Sequence, residues 1–70
     1  MKITQLFPVT GQAKQILNNM IEDLEKAQRD LAISESVNDE KGIKIYGATI
    51  DNLSRVISEY FDCNIDWEVL

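Results

Sequence analysis

The sequence predicts a mainly α protein: a helical hairpin with a long helix over about residues 12–33, a second over about 49–62, and a short extended C-terminal tail with minor β character. Three observations predict it. Apolar residues keep heptad spacing from Ala13 to Leu31, a second apolar stripe at helical spacing runs from Ile50 to Phe61, and strict alternation follows from Cys63 to Val69.

The first element, MKITQLFP, is short and mixed, and Pro8 interrupts it, so it reads as an arm or an edge strand. Thr10 then stands where a helix N-cap is wanted, because its hydroxyl can accept an otherwise unpaired N–H. The seam of the long helix is Ala13, Leu17, Met20, Leu24, Ala27 and Leu31, widened by Ile16 and Ile21. No glycine or proline interrupts residues 12 to 34, so one continuous helix is expected. SESVNDEKG is polar and turn-rich, with Gly42 placed to close it, and GIKIYG between two glycines reads as a brief strand or extended linker. Thr49 is the expected N-cap of the second helix, with Asp51 favourable in its first turn. That helix presents Ile50, Leu53, Val56, Ile57, Tyr60 and Phe61 on one face. In the tail, Cys63, Ile65, Trp67 and Val69 alternate with Asn64, Asp66 and Glu68, which predicts a packed side and a burial site for Trp67.

Seventy residues make a single domain, 1–70. A chain this short buries only about 60% of its unfolded surface, so its core is small and self-association would help it. Hydrophobic residues at 44% and charged residues at 27% exclude a disordered tail. Cys63 is the single cysteine and cannot form an internal disulfide. No apolar run approaches the ~18 residues of a membrane span, and the N-terminus makes a poor signal peptide, so a cytoplasmic protein with no membrane role is expected.

The net charge is −5, and all of it lies in the second half. Residues 1 to 34 balance Glu22, Asp23, Glu25 and Asp30 against Lys2, Lys14, Lys26 and Arg29, while residues 35 to 70 carry eight acids and only Lys41, Lys44 and Arg55. Nucleic-acid binding calls for a basic footprint; this distribution suits a basic protein partner, or a merely solubilising surface.

Catalytic chemistry is not indicated. Histidine, the commonest general base, is absent, and Cys63 has no histidine to activate it, so its reading is a small buried hydrophobe. Gly11, Gly42 and Gly47 fit no phosphate loop. Asp62, Asn64 and Asp66 alternate as in the opening of a calcium loop, but Trp67 occupies the place of the required glycine. No catalytic residue, cofactor or metal is therefore expected.

TIDNLSRVISEYFDCNIDW resembles the closing helices of the phage-repressor (xenobiotic-response-element) type of helix-turn-helix protein. The matching positions are Thr49, Ile50, Leu53, Val56, Tyr60, Phe61, Ile65, Asp66 and Trp67, and LAISES upstream is similar to the turn into that family's recognition helix. The resemblance implies a small DNA-binding regulator of short helices, with Ser34, Glu35, Ser36 and Asn38 toward bases and Lys41 and Lys44 on phosphates. It also requires a turn inside residues 12 to 34.

Two functions are thus expected. The first is a small acidic, non-enzymatic regulator acting by protein–protein contact, of the kind seen in phage and plasmid inhibitors, and forming a homodimer by pairing hairpins into a four-helix bundle. Its candidate contact residues are Asp51, Glu59, Asp62, Asp66, Trp67 and Glu68. The second is the helix-turn-helix regulator, the only reading in which nucleic acid is a partner.

Overall fold

The computed structural model describes residues 1 to 67, ordered β1 (Lys2–Gln5), α1 (Gly11–Ser36), α2 (Glu40–Tyr60) and β2 (Cys63–Asp66). The two helices form an antiparallel hairpin, and the strands pair antiparallel into a two-stranded ribbon. The architecture is mainly α, as the heptad seam and the alternating tail require. No helix among the described residues is long and apolar enough to cross a membrane.

Helix α1 has 26 residues and runs unbroken through the segment where the helix-turn-helix arrangement needs a turn. Thr10 is its N-cap residue, in extended conformation, although its side chain makes no capping bond. The chain turns into the helix at Gly11 with φ +66°, a left-handed conformation that costs glycine little. At the other end Asn38 adopts φ 55°, a conformation asparagine tolerates. Its N–H donates to the Glu35 carbonyl at 3.3 Å, and the Asp39 N–H donates to the Ser34 carbonyl at 2.8 Å. These two bonds close α1 in the Schellman manner.

The second helix differs from expectation. It begins at Glu40 rather than near residue 49, and it ends at Tyr60 rather than 62. GIKIYG is therefore helical, and SESVNDEKG divides between the last turn of α1, a three-residue link and the first turn of α2. The physical reason is Asp39. Its carboxylate accepts the Gly42 N–H at 3.2 Å, and its carbonyl accepts the Ile43 N–H at 2.9 Å, so one residue both closes α1 and caps α2. Ile43, Tyr46, Ile50, Leu53 and Ile57 then continue a 3–4 spacing that the glycines obscured. Thr49 is not a cap: it lies inside α2, and its hydroxyl donates back to the Ile45 carbonyl at 2.9 Å.

Beyond the end of α2 and its C-cap Phe61, Asp62 takes φ 51°, and its carbonyl accepts the Leu6 N–H at 3.1 Å. This bond starts the ribbon, which runs in register from Gln5↔Cys63 to Lys2↔Asp66. Ile3 and Ile65 are directly opposite each other and both pack on the core. The core itself is small: Leu17, Leu24 and Ile57 are fully buried, with Ala27 and Cys63 nearly so. Part of each predicted stripe stays in solvent, namely Ala13 and Ile16 on α1 and Tyr60 on α2, which is 77% exposed.

Cys63 is buried as expected, its thiol 3.5 Å from the Phe61 carbonyl. Burial, and secondarily the neighbouring Asp62 carboxylate, pushes the thiol pKa up. A raised folded-state pKa favours the fold below the ordinary thiol value of about 8.5, and that contribution is lost as pH rises through the folded value. Stability should therefore fall on the alkaline side. Urea midpoints measured at pH 7 and pH 10 should drop more for the wild type than for Cys63→Ala. Equal drops would mean that burial of the Cys63 thiol does not carry the alkaline loss.

Candidate interaction surface

The ribbon places three of the candidate contact residues on one strip. Asp62 precedes β2, Asp66 ends it, and Trp67 follows, so the strip spans about 16 Å at the rise of a strand. Along β2, Cys63 and Ile65 turn inward while Asn64 and Asp66 are exposed, as strand geometry demands. Asp66 stands opposite Lys2. Trp67 departs from expectation: it is 45% exposed rather than buried, because the inward positions nearest the core are taken by Cys63 and Ile65.

Asp51 and Glu59 are both exposed, but on α2 rather than on the ribbon. They are separated by about 12 Å along the helix axis, so they do not form one cluster with each other. Glu68 lies outside the described residues. Two surface residues escaped the sequence reading: Leu6 and Phe7, 62% and 64% exposed, flank the ribbon beside Asp62. Their only signal was a pair of apolar residues immediately before Pro8, where the strand must stop.

The hairpin has a second open face. A groove of about 440 Å³ runs between the helices, lined by Asp23, Lys26, Ala27 and Asp30 of α1 and by Tyr46, Thr49, Asn52 and Leu53 of α2. Met1, by contrast, lies with Glu25, Gln28, Arg29 and Ala32. At 3.6 residues per turn, Gln28 and Asp30 are about 200° apart around α1. The ribbon and the groove thus occupy opposite flanks of the hairpin, one covered and one not.

No protein-family model, curated protein or solved structure matches the chain. Among the described residues, no group of three or more His, Cys, Asp or Glu is placed to hold a metal ion. The ribbon does present surface of one kind: exposed apolar side chains near exposed carboxylates.

Proposed function

We propose that this is a small acidic, non-enzymatic regulator that works by protein–protein contact, using the ribbon strip against a basic surface of its target. One observation carries the reading: Leu6, Phe7 and Trp67 are large, apolar and substantially exposed on the same ribbon that carries Asp62 and Asp66. Aromatic side chains bordered by charge are the usual anchors of an interface, and they are costly to leave in water without a use. The carboxylates would steer a basic target and fix its orientation. An inhibitor of the phage or plasmid kind needs no more than this, since occupying a target surface requires no chemistry. The unbroken α1 favours this reading over DNA recognition.

The test compares capture by immobilised wild-type chain and by folded surface variants in an extract of the source cells. Phe7→Ser and Trp67→Ser should each reduce capture of the same protein by about tenfold or more, as truncated aromatic anchors do. Asp62→Lys should slow association and make it less sensitive to salt. Capture that all three variants leave intact would remove the strip from the interface. Tight, sequence-dependent retention of duplex DNA would replace the proposal with the helix-turn-helix reading.

A further inference from the structure

We propose that the open groove of the hairpin receives an amphipathic helix of a partner protein, which lies along it as the third helix of a bundle. The face is the one opposite the ribbon, so the inference does not rest on the target-contact reading.

Exposed apolar side chains mark this face. Among the described residues, every large hydrophobic that the helices and their link expose stands seven residues from a residue lining the groove. Ile16 is seven before Asp23, Ile33 seven after Lys26, and Val37 seven after Asp30. On α2, Ile45 is seven before Asn52 and Tyr60 seven after Leu53. Seven residues are nearly two turns and bring a side chain back to within about 20° of the same direction. The groove is therefore the middle of a longer trough with apolar ends. Ile33, Val37 and Ile45 gather at its closed end, and Ile16 and Tyr60 at its open end. All five are more than half exposed, and none packs on the core beneath the ribbon.

Spacing along both banks calls for a helix between them. The α1 bank runs Ile16, Asn19, Asp23, Lys26, Asp30 and Ile33, at intervals that alternate between three and four. The α2 bank runs Ile45, Thr49, Asn52, Val56 and Tyr60, at intervals of three or four. An extended strand, with its period of two, would match neither bank. Between the banks lies Ala27, small and buried, over which a third helix can come close.

Charge states the chemistry of the partner. The α2 bank has no charged member, whereas the α1 bank carries Asp23, Lys26 and Asp30, in the order acid, base, acid, over about 10 Å. No ion pair links these three to one another among the described residues. The partner helix thus turns apolar residues to the groove and carries base, acid, base at intervals of three to four along the edge facing α1. That order reads the same from either end, so either direction of the helix satisfies it. The opposite order would set like charge against like at all three positions.

A capped peptide of about 18 residues is the probe, since that length matches the run of α1 from Ile16 to Ile33, about 27 Å. Its heptads carry leucine at the groove positions and Lys, Glu, Lys along one edge; a second peptide carries Glu, Lys, Glu instead. The full chain should bind the first at least about tenfold more tightly than the second, with amide shifts at Ala27, Thr49 and Leu53. Ile33→Asp and Ile45→Asp, at exposed positions, should each weaken binding about tenfold with helical circular dichroism unchanged. Lys26→Glu should weaken the first peptide, and replacing that peptide's central Glu by Lys should recover most of the loss. Lys14→Ala, on the opposite side of α1 from Asp23, should change nothing. No binding, equal binding of the two peptides, or binding indifferent to Ile33→Asp overturns the proposal. So does a dimer of the chain alone that the first peptide cannot displace, since the face would then belong to a second copy.

Discussion

Leu24→Ala is expected to lower stability by about 3–5 kcal/mol, the range for a leucine with no solvent exposure whose removal leaves a cavity. A chain of this length has only about 3.5–10 kcal/mol in total. One substitution therefore removes from a third of the stability to all of it. Leu24 is critical because the core has so few members. Among the described residues only Leu17, Leu24 and Ile57 are large and fully buried, and they hold both helices to the ribbon through Cys63, Ile3 and Ile65. A leucine lost from a core of a dozen large side chains would be partly compensated by its neighbours; here few neighbours can move in. Urea denaturation followed by helical circular dichroism would measure the effect, at one fixed protein concentration, because any dimer makes the midpoint concentration-dependent. Ile33→Ala serves as the surface control: it is 61% exposed and should change stability by less than about 0.5 kcal/mol. A Leu24→Ala loss no larger than the control's would mean that the helices are held by something other than this core.

The elements that periodicity could reveal were those without glycine. The α1 seam from Leu17 to Leu31 and the alternation from Cys63 to Asp66 were both legible, because each pattern has a single period and nothing interrupts it. The start of α2 was not legible from pattern. Gly42 and Gly47 bracket Ile43 and Ile45, so the four residues between the glycines mimic a strand, and Thr49 looks like a cap. The decisive residue was Asp39, whose double role at the end of one helix and the start of the next depends on backbone geometry. Surface residues were legible in a similar proportion. Exposure of Asn64 and Asp66 followed from alternation, whereas Leu6 and Phe7 could be recognised as exposed only once the Leu6–Asp62 bond had fixed where the ribbon ends. Exposure of Trp67 was misread for a related reason, since alternation gives the side of a strand but not how far the core extends beneath it.

The same substitution, glycine to alanine, is expected to have opposite signs at two positions five residues apart in α2. Both glycines are helical, where alanine intrinsically gains about 0.5–1 kcal/mol by restricting the unfolded chain. At Gly47 a Cβ would meet nothing within 4 Å, so Gly47→Ala should realise that gain. At Gly42 a Cβ would fall on the Ser34 hydroxyl and within 2.7 Å of an Asp39 carboxylate oxygen. Ser34 is itself buried, at the last turn of α1, and Asp39 is holding the cap of α2. Either the helices separate at the corner or the cap rotates away, so Gly42→Ala should cost about 1–3 kcal/mol net, the range for overpacking. Gly42→Leu should prevent the hairpin from closing. A second substitution separates the two causes. Ser34→Ala removes the clashing oxygen without touching the cap, so Ser34→Ala with Gly42→Ala should be more stable than the sum of the single changes by at least about 0.5 kcal/mol. If the pair is additive, the Asp39 cap carries the cost. If Gly42→Ala stabilises as much as Gly47→Ala, the two helices do not approach each other closely at Ser34.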